Sequence, residues 1–167
     1  DGRRPTTMDG VRVSVNGKPA FFYFISPNQL NLVAPDDDSV GSVPVTVTVG
    51  GQTSEVATVQ MQRFAPAFFL WPENQVVATS ADFQFRVRDG TFTGTQTVSA
   101  KPGEVVVLWG TGFGATNPSV PAVQVVTGTA LVANQVRVTV GGIEAEYFGA
   151  CLGRPWPQPM AFWADDA

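Results

Sequence analysis

The chain has 167 residues, of which 44% are hydrophobic and 14% charged, with a formal net charge of -4. These values are typical of one large or two small folded domains, and the acidic balance excludes the basic surface that nucleic acid binding needs. The 17 Gly and 13 Pro, with frequent Val, Thr and Phe, predict an all-β fold with almost no helix.

The first part of the chain predicts a series of short strands. Alternation from Val11 to Val15 places the valines on one face, and Asn16-Gly17 predicts a type I′ hairpin turn because both residues tolerate positive φ. From Pro19 to Ile25 both alternating sets are apolar: Ala20, Phe22 and Phe24 against Phe21, Tyr23 and Ile25. Such a strand needs cover on both faces, so we expect the other domain or a second chain to cover the second face. Further strands are predicted at residues 29–35, 43–49 and 56–61.

An acidic loop separates two of these strands. Asp36, Asp37 and Asp38, followed by Ser39, offer oxygen ligands of the kind that Ca²⁺ prefers. The alternative is a solvated turn, which the absence of EF-hand spacing and of a following bidentate Glu favours. The expectation is therefore no cofactor, with calcium as the alternative. Zinc is excluded as a usual site because the chain has no histidine and one cysteine.

An aromatic segment, Ala65–Pro72, follows the first group of strands. Its prolines interrupt strand pairing, yet Phe68, Phe69 and Trp71 are too apolar for a free linker. We expect them to pack between two halves of the molecule. The predicted organisation is a first domain at 1–64, a junction at 65–75 and a second domain at 76–150. A strand is predicted at residues 81–87.

The second half is organised around the sequence KPGEVVVLWGTGFG, from Lys101 to Gly114. Val105–Trp109 is long enough for one buried strand and too short for a helix. Gly110, Gly112 and Gly114 then allow positive φ, so the chain can turn sharply and cross to another sheet. A phosphate-binding loop is the weaker interpretation, because no helix and no lysine follow.

A hairpin sequence occurs twice. VRVSVNGKPAFFYF begins at Val11 and VRVTVGGIEAEYFG begins at Val136, 125 residues later. Identical pairs are Val11/Val136, Arg12/Arg137, Val13/Val138, Val15/Val140, Gly17/Gly142 and Ala20/Ala145. The second copy follows a strand, the GTGFG turn and a loop, whereas the first follows only ten residues. We therefore predict two related domains, the first truncated at its N-terminus.

These motifs carry a family resemblance. PGEVVVLWGTGFG followed by VRVTVGGIEAEY resembles an IPT/TIG-type immunoglobulin-like domain, whose pattern is a strand, a GT-x-FG turn and a V-x-V-GG hairpin. Over residues 4–149, the order RPTTMDGVRVSVNGKPAFFYFISPNQLNLVAP, VPVTVTVGG, FAPAFF and KPGEVVVLWGTGFG resembles the uncharacterised C-terminal domain common in Acidobacteria (Solibacter type). The resemblance implies two immunoglobulin-like β-sandwich domains at the end of long, secreted bacterial proteins, hence an extracellular or cell-surface location. The family carries no assigned activity.

The last residues depart from this pattern. The family continues into a strand like Gln29–Pro35, whereas residues 151–167 read CLGRPWPQPMAFWADDA, with prolines at 155, 157 and 159. We expect this anomalous tail not to pair along the centre of a sheet. The sheets would then be completed by the tail, the other half or a second molecule, so a homodimer through incomplete sheet edges is one expected partner arrangement.

The residue types limit the possible catalysis. Without histidine, neither a Ser-His nor a Cys-His nucleophile can be assembled, and Cys151 is expected to be an incidental thiol. A carboxylate pair is the remaining enzyme hypothesis. Glu144 and Glu146, two apart on a predicted strand, would share a face, and Asp82, Asp89 and Glu104 are the acids that could approach them. The alternative is a solvent-facing strand side, because Ile143, Ala145 and Tyr147 alternate with the two glutamates.

Tryptophans are the candidate ligand-binding residues. Trp71, Trp156 and Trp163 could form a stacking platform for sugars, whereas Trp109 ends a buried strand and is expected in the core. The alternative role for the three is to cover otherwise exposed apolar surface. The sequence thus predicts a non-catalytic extracellular interaction or spacer module, with a protein or glycan surface as partner and no membrane insertion. The alternative is a polysaccharide or ester hydrolase that uses a carboxylate pair.

Overall fold

The computed structural model describes residues 2–92, 94, 96–152 and 160–165, the last range in its backbone only. Over these residues the regular structure is β-strand, apart from one 3₁₀ turn at Pro72–Asn74. The all-β prediction is confirmed. None of the described segments forms a helix with the length and apolarity needed to traverse a bilayer.

The chain divides into two compact units. The first consists of Asp1–Arg63 with Val120–Val125, and the second of Phe64–Ser119 with Val126–Ala167. The short stretch Val120–Val125 joins the first unit because it pairs with the N-terminal segment: the Arg4 amide donates to the Val123 carbonyl at 2.7 Å. The sequence did not predict that residues of the second half would belong to the first unit.

Seven strands build the first unit. They are β1 (Val11–Val15), β2 (Lys18–Pro19), β3 (Phe21–Ser26), β4 (Gln29–Val33), β5 (Gly41–Val49), β6 (Gln52–Thr53) and β7 (Ala57–Met61). One sheet has the order β2-β1-β5, with β7 beside the first half of β5 and β6 beside its end. The antiparallel hairpin β3-β4 forms the other sheet. A core of Val11, Val13, Ala20 and Phe22 is packed with Ile25, Leu30, Leu32, Val45 and Val47 from both sheets.

A β-bulge corrects the predicted faces of the strand at 21–26. Phe22 pairs with Leu32 and Phe24 with Asn31, so Tyr23 is an extra residue in β3. The extra residue reverses the alternation, because it turns every later side chain to the opposite face. Phe24 is therefore 47% exposed. Ile25, assigned by simple alternation to the same face as Phe21, packs against the core instead.

The second unit contains eleven strands in the described residues. They are β8 (Ala67–Phe68), β9 (Leu70–Trp71), β10 (Gln75–Val76), β11 (Ala78–Ser80), β12 (Val105–Thr111), β13 (Thr116–Asn117), β14 (Ala130–Val132), β15 (Thr139–Val140), β16 (Ile143–Glu144), β17 (Glu146–Leu152) and β18 (Met160–Asp165). The main sheet has the order β11-β12-β18-β17-β14-β13, and β8 also pairs with β12. The strand predicted at 81–87 is not continuous, because Phe83 has a φ of 64°.

The duplicated sequence forms the same hairpin in both units. Ser14 pairs with Pro19 in β1-β2, and Thr139 pairs with Glu144 in β15-β16, which are equivalent positions. The two turn residues have positive φ in each copy, 52° and 75° for Asn16-Gly17 and 58° and 86° for Gly141-Gly142. These are the dihedral signs of the predicted type I′ turn.

The similarity continues beyond the hairpin. The strand that follows, β3 or β17, carries a bulge at the same place: between Phe22 and Phe24 in one copy and between Tyr147 and Gly149 in the other. Each strand then pairs with the next strand in the chain, β4 or β18. The structural repeat is therefore a hairpin, a corner, a bulged strand and its partner.

The prediction that the tail cannot pair along a sheet centre is wrong for Met160–Asp165. Its backbone pairs with β12 on one side and β17 on the other. Prolines 155, 157 and 159, which motivated the prediction, lie outside the described residues, as does Trp156. Cys151 and Leu152, also assigned to the tail, continue β17.

Glycine is required at the end of β12 and just after it for two different reasons. Gly112 and Gly114 have φ values of 82° and 87°, as the sequence predicted. Gly110 is not in this left-handed region, but a Cβ there would lie 2.7 Å from the Ala67 carbonyl oxygen. It therefore allows β8 to approach β12 closely.

Candidate functional site

The two candidate catalytic glutamates of the hairpin lie on different strands. Glu144 ends β16 and Glu146 begins β17, and the buried Ala145 between them marks the corner at which the chain changes sheets. The prediction that they share a strand face is therefore wrong. Both side chains are exposed. Glu144 forms an ion pair with Arg137, with 3.4 Å between Oε1 and Nε, on the solvent side.

Glu104 is occupied by structural contacts. Its Oε1 accepts a charged hydrogen bond from Arg86 Nε, and its Oε2 accepts from the Lys101 amide at 3.1 Å. The Arg86 hydrogen bond lowers the pKa of this carboxyl. A carboxylate stabilised in its ionised form is a poor general acid, because a glycosidase acid needs a raised pKa. A small cavity of about 350 Å³ is lined by Glu104, Arg86, Val98 and the Lys101-Pro102-Gly103 turn.

The remaining acids of the second unit lie in turns. Asp82 accepts a hydrogen bond from Ser80 Oγ within a turn in which the Ser80 amide also donates to the Gln84 carbonyl at 2.9 Å. The Ser80 hydroxyl lowers the pKa of the Asp82 carboxyl. Asp89 is exposed beside Gly90. Arg86, which binds Glu104, also interacts with the Asp82 carboxylate, so these two acids share one cation. No hydrogen bond between two of the predicted acids is seen in the described residues.

The three aspartates of the acidic loop belong to the first unit and have separate roles. Asp37 accepts from the Ser39 amide at 2.9 Å and from Asn16 Nδ2 at 3.0 Å, and Lys18 Nζ lies 3.4 Å from it. The Ser39 hydrogen bonds lower the pKa of Asp37 well below its usual range. Asp36 accepts from the Ala122 amide at 3.2 Å, whereas Asp38 is exposed.

The Asp37 contacts attach the acidic loop to the Asn16-Gly17 turn and to Lys18. Within the described residues, no group of three or more His, Cys, Asp and Glu side chains is arranged to hold a metal ion. Calcium binding stays a prediction, and comparing the melting temperature in calcium and in chelator tests it.

Trp71 lies in an aromatic cluster. Its ring meets Phe92 edge to face at 4.9 Å and Phe85 at 5.8 Å between centroids. Its Nε1 is buried and has no hydrogen-bond partner in the described part of the chain. This packing favours a structural role over a sugar-stacking platform. For Trp163 only the backbone is described, in β18.

Two other predicted side chains are accounted for by packing. Trp109 is half-buried in β12, and its Nε1 donates to Thr79 Oγ1 at 3.0 Å. Cys151 is half-buried in β17, and burial raises the pKa of its thiol. A raised pKa disfavours the thiolate, so Cys151 is not an activated nucleophile.

An open groove of about 630 Å³ in the first unit was not predicted from the sequence. Its floor is apolar, formed by Val11, Ile25, Leu30, Val47 and Val49. Its rim carries the exposed polar side chains Asp9, Asn28 and Gln29. An apolar floor with a few polar groups at the rim is the usual composition of a binding cleft. The groove is the strongest candidate binding surface of this unit.

Comparison with known proteins assigns no family to this chain. The chain matches no protein-family model, no curated protein and no solved structure. The structural features that bear on function are therefore the groove, the strand edges and the environments of the acidic residues.

Proposed function

We propose that this chain is a non-catalytic interaction module, made of two immunoglobulin-like β-sandwich domains, that acts outside the cell. The fold assignment is supported by the repeated hairpin, corner and bulged strand in the two units. The motif resemblance to the Acidobacterial C-terminal domain supports a place in a larger secreted or surface protein.

One observation carries the non-catalytic role. Hydrogen bonds lower the pKa values of Asp82 and Glu104, the first from Ser80 and the second from Arg86, and Arg86 also interacts with the Asp82 carboxylate. A glycosidase needs two carboxyl groups on either side of one bond, about 5 to 9.5 Å apart, with one of them protonated. Carboxyl groups with lowered pKa values, such as those of Asp82 and Glu104, are not suited to be the protonated member of such a pair. The apolar groove of the first unit is suited to bind a partner and needs no catalytic group to do so.

The proposal is tested by running turnover and binding assays on the same protein. Hydrolysis of soluble glucans and nitrophenyl esters is measured beside binding to a glycan array and to immobilised proteins. We expect no turnover above the blank and saturable binding to at least one surface. Turnover that is abolished by Glu104→Gln or by Glu144→Gln with Glu146→Gln would overturn the proposal.

A matched pair of variants locates the binding surface. Val49 lies in the groove and is 53% exposed, whereas Val59, on β7, lies outside it and is 44% exposed. Neither change to Glu removes a core contact. If the groove binds through its apolar floor, Val49→Glu weakens binding and Val59→Glu does not. Equal binding by both variants moves the site away from the groove.

A further inference from the structure

The repeated strands of the two units differ in what flanks them. In the second unit the β17-β18 hairpin is enclosed on both sides, because β14 pairs with β17 and β12 pairs with β18. The β12-β18 pairing is long and extends from Val105–Asp165 to Gly110–Met160. The second unit therefore shows what a completed sheet around this hairpin looks like.

The equivalent hairpin of the first unit is enclosed on one side only. On the β3 side, the Phe22 amide donates to the Pro5 carbonyl at 2.8 Å. On the β4 side, the described residues provide no strand: Gln29–Val33 pairs with β3 alone. β4 also contains neither Pro nor a charged residue, the usual devices that protect an edge strand.

The hydrogen-bonding groups that this edge leaves open can be identified. Because the Phe22 amide points towards Pro5, the facing pair Phe22-Leu32 is not hydrogen-bonded across the hairpin. The backbone N–H and C=O of Leu32 therefore point away from β3, and alternation gives the same direction to Leu30. The N–H of Asn31, between them, points towards β3.

The same positions in the second unit are the ones that β12 uses. Ala164 and Phe162 are the counterparts of Leu32 and Leu30, and they face Val106 and Leu108 of β12. The backbone N–H and C=O groups of Val107 and Trp109 point away from β18, because the Trp109 amide donates to the Val77 carbonyl at 3.0 Å. The repeat thus indicates both the edge and the register of an incoming strand.

We propose that the β4 edge of the first unit binds an extended, apolar strand of a partner polypeptide, with the residue pattern of β12. This inference rests on the interaction role proposed above, and it specifies the kind of partner that the module binds. Main-chain hydrogen bonds to Leu30 and Leu32 supply affinity, as in other cases of strand addition. We expect the incoming strand to be apolar by analogy with β12, whose Val106 and Val107 are 5% and 1% exposed in their own sheet.

The test uses a synthetic peptide with the sequence of residues 104–112, EVVVLWGTG, extended by a lysine tag and a fluorophore. Its binding to the full chain is measured by fluorescence anisotropy, and backbone amide exchange is measured with and without the peptide. We expect saturable binding that slows exchange at the Leu30 and Leu32 amides and leaves Asn31 unchanged.

Two N-methylated peptides separate edge pairing from apolar adhesion. Methylation at the positions of Val106 and Leu108 removes the N–H groups that face β4, whereas methylation at Val105 and Val107 removes those that face away. Two lost hydrogen bonds of about 0.5–1.5 kcal/mol each weaken binding by a factor of about 5 to 150. The first peptide is therefore expected to bind at least about fivefold more weakly than the parent, and the second within about threefold.

Each other outcome overturns the inference in a distinguishable way. Equal weakening by both peptides, or protection confined to β7 or to the β1 and β5 residues of the groove, excludes pairing at β4. A dimer with protected Leu30 and Leu32 amides in the absence of peptide assigns the edge to a second copy instead. If the peptide does not bind but the Val49→Glu and Val59→Glu comparison still shows binding in the groove, strand addition at β4 is excluded and the interaction role remains. Substrate turnover would instead exclude the interaction role.

Discussion

Ala20 and Ala145 occupy the same corner in the two units. Each donates its amide to the carbonyl of the valine seven residues earlier, Val13 at 2.9 Å and Val138 at 3.0 Å. The two side chains are 0% and 5% exposed. At this corner the chain leaves the hairpin and enters the bulged strand, so the residue must be small enough to lie between the two sheets.

We predict that Ala20→Leu destabilises the first unit by about 1–3 kcal/mol, because a fully buried site has no room for extra methylene groups. The control is Ala57→Leu on the exposed side of β7, which we expect to change stability by less than about 0.5 kcal/mol. Urea unfolding followed by circular dichroism compares the two. Tryptophan fluorescence is unsuitable, because all 4 tryptophans of the sequence belong to the second unit. Equal stability of the two variants would contradict a tightly packed corner.

Local sequence signals predicted the hairpins well. Asn16-Gly17 and Gly141-Gly142 specify their turns through their own tolerance of positive φ, so no distant contact was needed to recognise them. The bulge at Tyr23 was missed because an unbroken period of two was assumed for β3. Nothing in the apolar run marks the extra residue. The position of Val120–Val125 in the first unit could not be predicted either, because its partners are distant in sequence: Arg4 and Asp36 lie 118 and 86 residues from Ala122.

The candidate site was less predictable than the fold. Glu144 and Glu146 were placed on one strand because alternation does not reveal where a chain changes sheets. The repeat contained the necessary signal, since the corner residue Ala145 aligns with Ala20. The groove could not be predicted, because its floor combines β1, β3, β4 and β5, which are separated along the chain by loops of unpredictable path.

Phe22 and Phe24 provide a direct test of the bulge. Phe22 is 1% exposed, whereas Phe24, two residues later, is 47% exposed. We predict that Phe22→Ala costs about 3–5 kcal/mol through loss of buried area and cavity formation. Phe24→Ala costs clearly less. An unbulged strand would place both rings on the core face, so similar losses in urea unfolding would contradict the register.

Asp37 predicts a pH dependence of stability. Hydrogen bonds from Ser39 and Asn16 lower its folded pKa below the unfolded value of about 3.9. The stabilisation is therefore fully present above that unfolded value and is lost as the pH falls through the folded pKa. We expect Asp37→Asn to be less stable than the parent at pH 7, and the difference to shrink as the pH falls below about 4.

Asp38→Asn is the matched control for this experiment, because Asp38 is exposed in the same loop. It changes the net charge by the same amount without removing the Asn16 and Ser39 contacts. Thermal unfolding at several pH values is compared for the parent and the two variants. A pH profile shared by both variants would assign the effect to net charge rather than to the hydrogen bonds that Asp37 accepts from Asn16 and Ser39.

Gly112 predicts a large local effect in the second unit. An added Cβ would lie 2.0 Å from the Ala65 carbonyl oxygen, and the φ of 82° is itself unfavourable for alanine. Gly90 has a similar φ of 79° with nothing within 4 Å. We predict that Gly90→Ala costs about 1–2 kcal/mol from the left-handed conformation alone. Gly112→Ala costs clearly more, because the backbone of the 65–66 segment must move. Unfolding followed by tryptophan fluorescence measures both, and equal losses would contradict the close approach.

The equivalence of the two hairpin turns predicts that one substitution in the second turn stabilises the protein. Gly141 has a φ of 58°, close to the 52° of its counterpart Asn16, and a Cβ there would meet nothing within 4 Å. Asparagine tolerates this conformation and has fewer unfolded conformations than glycine. We therefore expect Gly141→Asn to raise the free energy of unfolding of the second unit by up to about 1 kcal/mol. Gly141→Val, which is β-branched, should lower it by about 1–2 kcal/mol. Loss of stability in both variants, measured by urea unfolding, would show that the second turn is not the type I′ turn that Asn16-Gly17 forms in the first.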